Sequence, residues 1–292
     1  AIVPGYGTTT ARAGLKWCRR QRRGAVMIFE SQETDHARRW YKEWVKRRLV
    51  RQTDTVFCGG VAHARYAAKL GLQRERIFFG YSAVDNDHWQ TATAAARAAT
   101  PSPLGVPYFL AIGRFVPKKN FVGLVTAFAR FKAACRAEWH LVIVGDGPER
   151  ERIATEIQRH ALQDSVHLPG YAQSSDTARW LAHAGAFVMP SDREEQWGLV
   201  VNEALAAGLP AIVSRVCGCA EDLIQHETTG LLFDPADVDA LSAALIRIAS
   251  DSALRVRLAR AGNAHVQNYS LTRFAQEALA ASEQAHQSAQ NR

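Results

Sequence analysis

The sequence lacks any long apolar run. Although 47% of its 292 residues are hydrophobic, nothing approaches the roughly 18 consecutive apolar residues that cross a bilayer. No charged-apolar-small leader opens the chain, and AIVPGYG reads as a strand already under way, so upstream sequence is expected. Cysteine is sparse and poorly placed for cross-linking: Cys18, Cys58, Cys135, Cys217 and Cys219 form no CxxC pair. Cys217 and Cys219 make only a CxC with no histidine cluster beside them, which favours reduced core thiols of a cytoplasmic protein over a zinc site. Acids are short over the first 51 residues, where thirteen Lys or Arg face four acids, a local charge of +9 against +8 for the whole chain. An excess of this kind suits phosphate-bearing partners: nucleic acid, an anionic membrane surface or pyrophosphate-linked substrates.

What the chain does have is alternation. Short apolar runs rich in β-branched and aromatic residues (AIVP, AVMIF, TVFC, RIFF, PYFLAIG, HLVIVG, VHLP, AFVMP, PAIVS and GLLF) are separated by stretches with apolar residues three and four apart. That pattern predicts an α/β protein with parallel sheets covered by helices. The Ala/Thr-rich stretch from Trp89 to Pro107 carries no strand signal and reads as a linker with one helical turn. The expected division is a partial first domain over 1–88, a linker over 89–104, a doubly wound second domain over 105–269, and a terminal helix over 270–292 that starts at a Ser270 cap and returns toward the first domain. With only four strand candidates, the first domain reads as incomplete.

Ligands of open parallel sheets bind beyond the carboxyl ends of strands. Three such places stand out. After PYFLAIG, Gly113, Arg114 and Lys119 lie on a loop where two cations suit a diphosphate, and a solvated basic loop fits them equally. VGDGPER, residues 144–150, has Arg150 where a dinucleotide fingerprint needs its third glycine, so it reads as a structural turn. In DREEQWGLVVNEALAAGLP, residues 192–210, the amides of Gly198, Leu199 and Val200 fall at a helix N-terminus suited to phosphate oxygens. Glu195 precedes that helix and Glu203 lies inside it among apolar neighbours, both able to accept hydrogen bonds from vicinal hydroxyls.

Glu195-QWGLVVN-Glu203 resembles the signature of the family 4 glycosyltransferases, retaining enzymes of the GT-B fold. The likeness extends in order through Gly113-Arg114-x4-Lys119, VGDGP, HLPGY, AAGLPAIVS with Glu221, and HETTGLLF, from Tyr108 to about Tyr269. It implies two Rossmann-like domains facing across a cleft, the first incomplete here, and transfer of a sugar from a UDP-, GDP- or ADP-sugar to a saccharide or lipid-linked acceptor. By the same resemblance Arg114 and Lys119 bind the diphosphate, Glu195 meets the transferred sugar, Glu203 the ribose, and Gly170 and Tyr171 lie near the base. No metal or other cofactor is implied. Trp197 departs from the family's usual Gly-Phe and reshapes the sugar pocket, while Glu30-Ser31 stands where a histidine often follows the strand on the acceptor side.

Three further readings complete the expectation. Asp85-Asn86-Asp87 is a DxD that suits a metal in another glycosyltransferase fold, and a plain Asp/Asn turn is the preferred account. The basic helix HARRWYKEWVKRRLVR, residues 36–51, has Trp40, Trp44, Val45 and Leu49 on one stripe. Such a stripe more often packs on its own sheet, and the competing role is peripheral contact with an anionic membrane. A nucleotide-sugar-binding module without transferase activity is the alternative function, and no nucleic-acid-binding motif accompanies the basic charge.

Overall fold

The computed structural model describes residues 1–35 and 38–292; His36 and Ala37, which open the expected 36–51 helix, lie outside the described residues. The chain runs through β1 (Ile2–Pro4), α1 (Thr9–Arg20), β2 (Val26–Phe29), α2 (Trp40–Val50), β3 (Thr55–Cys58), α3 (Val61–Lys69) and β4 (Ile77–Phe79). It continues with α4 (Asn86–Ala99), β5 (Tyr108–Ile112), α5 (Phe121–Ala134), β6 (His140–Val144), α6 (Arg150–Arg159), β7 (Val166–Gly170), α7 (Ser174–His183) and β8 (Ala186–Met189). Then come α8 (Leu199–Ala206), β9 (Ala211–Ser214), α9 (Ala220–Leu223), β10 (Leu231–Phe233), α10 (Val238–Ser250), α11 (Ser252–Val266) and α12 (Leu271–Gln290).

Two compact units result: Ala1–Val84 with Asn268–Arg292, and Asp85–Gln267. All ten expected strands form. In the first unit they make a four-stranded parallel sheet, β1-β2-β3-β4. Helix α12 covers part of it through small residues: Ala281 and Ala285 pack on Val26 and Phe57. The approach is close enough that a Cβ on Gly24 would lie 2.5 Å from the Ala285 carbonyl oxygen, so only glycine fits there. Arg292, just past α12, pairs at 2.6 Å with the buried Asp54 carboxylate, which also accepts the Ala25 amide at 2.8 Å.

The second unit is a six-stranded parallel sheet of order β10-β9-β8-β5-β6-β7. Its central strands are apolar on both faces because helices cover both, and the runs therefore show no in-out alternation. Phe109, Phe115, Phe128, Phe131, Leu141 and Ile143, all inaccessible to solvent, form the centre of one core. The order reverses direction at the β5–β8 pairing, the switch point at which such sheets bind ligands.

Two expectations about helices change. The alanine-rich stretch expected as a linker carries the fourteen-residue helix α4. Alanine has the best helix propensity, and Asp85 caps the helix by accepting the His88 amide at 2.9 Å. The first aspartate of the DxD is therefore a capping residue. In α2 most of the expected stripe does not pack on the unit's own sheet: Trp40 is 83% exposed, Trp44 60% and Val45 42%, while Leu49 is partly buried. Tyr41 beside them is exposed too, and only Val50 of the helix is fully buried.

Candidate active site

The site grows from the two loops at the switch point. After β5, the Gly113 amide donates to the Val144 carbonyl at 3.0 Å and the Phe115 amide to the Asp146 carbonyl at 2.8 Å, so the loop leans on the GDG turn after β6. A Cβ on Gly145 would sit 1.9 Å from the Gly113 carbonyl oxygen. The VGDGP stretch is thus the bed on which the cationic loop rests. Phe115 anchors the loop from beneath, its ring 5.4 Å from that of Phe121. Pro117–Lys119 form a single 3-10 turn, and Asn120 takes a left-handed conformation, φ +51°, before α5. These bends carry Lys119 inward, with 12% of its side chain exposed.

After β8, the second loop is tied to the first. The Asp192 amide donates to the Lys118 carbonyl at 3.0 Å, and Lys118 Nζ to the Glu194 carbonyl at 2.9 Å. Glu195 then reaches Lys119: Oε2 lies 2.7 Å from Nζ, and Ser191 Oγ donates to the same oxygen at 3.0 Å. From the other side, the Gly218 amide donates to the Glu195 carbonyl at 2.9 Å and the Cys219 amide to that of Trp197 at 3.2 Å. Burial, reinforced by the nearby Glu195 charge, pushes the Cys217 thiol up, and burial does the same for Cys219, so both stay protonated and unreactive.

Gly198 starts α8 at φ +100°, a conformation that costs other residues dearly. A Cβ there would approach Met189 Cε to 3.0 Å. No side chain among the described residues caps α8, which leaves its first amides, those of Leu199 and Val200, outside the helical ladder. Trp197 is buried beside them and donates from Nε1 to Asn202 Oδ1 at 2.8 Å. One turn into α8, Glu203 is partly buried, and burial alone raises its carboxyl to about 7. A cation, a carboxylate and open helix amides at one strand edge form a place for an anion with a hydroxyl-bearing group next to it.

The structure therefore brings Lys119, Glu195, Trp197, Gly198 and the α8 amides together in the second unit. Arg114 is exposed on the same loop as Lys119. Gly170 ends β7 at φ +91°, accepting the Gly145 amide at 2.8 Å, and Tyr171 after it is 81% exposed. Glu30 and Ser31 lie elsewhere, at the end of β2 in the first unit, where Ser31 accepts the Tyr6 hydroxyl at 3.0 Å. Sequence reasoning missed Ser191, Lys118 and Asn202. Asn202 was signalled by its type, an amide inside the apolar run LVVNEALA; Ser191 by its place, directly beyond a strand's carboxyl end.

This chain belongs to the family Glycosyl transferases group 1, whose profile matches residues 92–265, more than half of it. It is 30% identical over 217 residues to the lipopolysaccharide core biosynthesis glycosyltransferase LpsE of Rhizobium meliloti, a match covering 73% of this chain and 59% of that protein. It is 31% identical over 223 residues to the GDP-mannose-dependent monoacylated alpha-(1-6)-phosphatidylinositol monomannoside mannosyltransferase of Corynebacterium glutamicum, covering 69% of this chain and 56% of that one. The chain thus spans less than two thirds of the length of these relatives. Among solved structures, Anabaena Alr3699/HepE in complex with UDP superposes with a TM-score of 0.81 at 20% identity, covering 94% of this chain and 77% of the other. The fold is GT-B, with its two parallel sheets.

Proposed function

We propose that the second unit binds a nucleoside-diphosphate sugar and that the protein transfers its sugar, with retention, to a saccharide or lipid-linked acceptor. The observation that carries this reading is the buried Lys119–Glu195 pair beside the uncapped start of α8. In this reading Arg114 and Lys119 hold the diphosphate, with the amides of Gly198, Leu199 and Val200 completing its cradle. Glu195, released from Lys119 as phosphate arrives, turns its carboxylate to sugar hydroxyls. Glu203 accepts from the ribose hydroxyls, Trp197 walls the sugar, and Tyr171 lies by the base. As the anomeric carbon–oxygen bond breaks, Lys119 and the helix amides stabilise the departing diphosphate, whose oxygen takes the proton of the incoming hydroxyl on the same face. No strong protein base is required.

UDP accompanies the HepE structure and GDP-mannose the corynebacterial relative, so UDP- and GDP-sugars are the first donors to test. Glu30 and Ser31 belong to the acceptor side, and a lipid-linked acceptor would bring the protein peripherally onto an anionic membrane. The test is a thermal-shift series with UDP, GDP and ADP, followed by transfer assays with the sugars of whichever nucleotide stabilises. One nucleoside diphosphate should raise the melting temperature, and Lys119→Met should abolish the rise. Stabilisation without turnover in a full-length protein would favour a binding module, and no stabilisation by any of them would overturn the reading.

A further inference from the structure

Away from the donor site, the first unit carries a cavity of about 590 Å³ lined by Arg19 of α1, by Trp44, Arg47 and Arg48 of α2, and by Arg51 and Gln52 just beyond it. Among the described residues no carboxylate lines it and none pairs with these four arginines. The one acid of α2, Glu43, is already taken by Arg38 at 3.3 Å, Lys46 at 2.9 Å and the Tyr66 hydroxyl at 2.8 Å. A helix C-terminus accounts for one or two nearby cations through its dipole. Four guanidiniums, from α1, α2 and the residue after α2, exceed that, and among the described residues no carboxylate offsets their mutual repulsion. Arg47 makes only a long 3.4 Å contact with the Lys69 carbonyl, and Gln52 ties itself to the Arg48 carbonyl at 3.0 Å.

The hollow has an apolar rim on one side. Trp44 forms part of its wall while remaining 60% exposed, and Trp40, Tyr41 and Val45 continue the same exposed surface along α2. Indoles at the edge of a cationic patch suit an interface in which the rings enter the headgroup region and the guanidiniums reach phosphate. We propose that this arginine hollow is a binding site for the phosphate of an anionic phospholipid, seated with Trp40 and Trp44 in the bilayer interface. It rests on the membrane contact proposed above and gives that contact a place; the donor site does not depend on it. Arginine forks match phosphate oxygens two at a time, so the hollow can take a headgroup phosphate while neighbouring anionic lipids satisfy the remaining charge.

The experiment is vesicle co-sedimentation, using phosphatidylcholine alone or mixed with phosphatidylglycerol, of the wild type, Arg19→Gln/Arg48→Gln, Trp44→Ala and Lys119→Met. Arg19, Arg48 and Trp44 are exposed, so unchanged melting temperatures should accompany their substitution. The wild type should sediment only with phosphatidylglycerol and be released by salt. The double arginine variant should lose partitioning at least roughly tenfold, as expected for two cations removed from an anionic surface, and Trp44→Ala should weaken it too. Lys119→Met should sediment as the wild type does, while the arginine variant keeps nucleotide binding; a failed donor site and a failed membrane site are thereby told apart. Equal sedimentation with both vesicle types, or variants that bind as the wild type does, would overturn the proposal. So would release by inorganic phosphate beyond that by chloride of equal ionic strength, which would make the ligand a soluble phosphate. Tighter arginine-dependent binding to single-stranded nucleic acid than to vesicles would overturn it as well.

Discussion

Replacing Lys119 by Met tests the donor site and the packing argument together. In the free protein Lys119 Nζ sits 2.7 Å from Glu195 Oε2, with 12% and 10% of the two side chains exposed. Removing the cation takes the lysine away from a largely buried carboxylate, to which Ser191 Oγ still donates at 3.0 Å. Breaking such a pair costs about 3–5 kcal/mol when it is fully buried; the residual exposure places this one lower, at about 2–3 kcal/mol. For a protein of this size that is a fall of about 3–5 °C in melting temperature. Lys119→Met/Glu195→Gln, which leaves no unpaired charge, should recover most of that loss. Ligand linkage behaves differently: a nucleoside diphosphate at a hundred times its dissociation constant adds about 2.7 kcal/mol to the wild type, and both variants should lose most of this increment. Differential scanning fluorimetry with and without the stabilising nucleotide reads both quantities. A single variant as stable as the wild type would refute the buried-pair argument, and one that kept its nucleotide-induced rise would refute the assignment of Lys119 to the diphosphate.

The remaining predictions concern α8. Glu203 has a carboxyl raised from 4.5 to about 7 by burial, so the folded chain holds that proton more tightly than the unfolded one. Its contribution to stability is full below about pH 4.5 and declines as pH rises to about 7; donor affinity should move the opposite way, rising through pH 7 as the carboxylate ionises. Calorimetric titrations on either side of pH 7 check this, and Glu203→Gln should flatten the profile. Gly198→Ala forces a side chain into φ +100° and toward Met189; a loss of at least about 1–2 kcal/mol and of nucleotide binding is expected by denaturant titration. Asn202→Leu strips the buried Trp197 N–H of its acceptor at a cost of about 1–3 kcal/mol. It should change the ratio of kcat/KM for two sugars on the same nucleotide more than it changes affinity for the nucleotide alone.

How far the sequence reveals these features depends on the range of the interactions behind them. Buried parallel strands are contiguous apolar runs, so β5, β6 and β8 are readable residue by residue, and their order of appearance implies a doubly wound sheet. Helix α4 escaped the pattern because it has no large aliphatic side chain to mark an apolar face; alanine propensity and the Asp85 cap hold it. The α2 stripe was visible as a pattern, yet periodicity marks a face without saying what covers it, and the indoles prove to be exposed. In the site, Glu195 and Glu203 were legible through their spacing. Their inequality was not, for it depends on neighbours contributed from elsewhere in the chain: Lys119 from the β5 loop meets one carboxylate, and only burial acts on the other. Lys119 and Glu195 become neighbours because β8 pairs with β5 and not with β7, the strand before it in sequence. Strand order is therefore the step that turns a basic loop and an acidic loop into one site. Ser191 and Asn202 become recognisable only once that step is taken, as the residues that hold Glu195 and Trp197 in place.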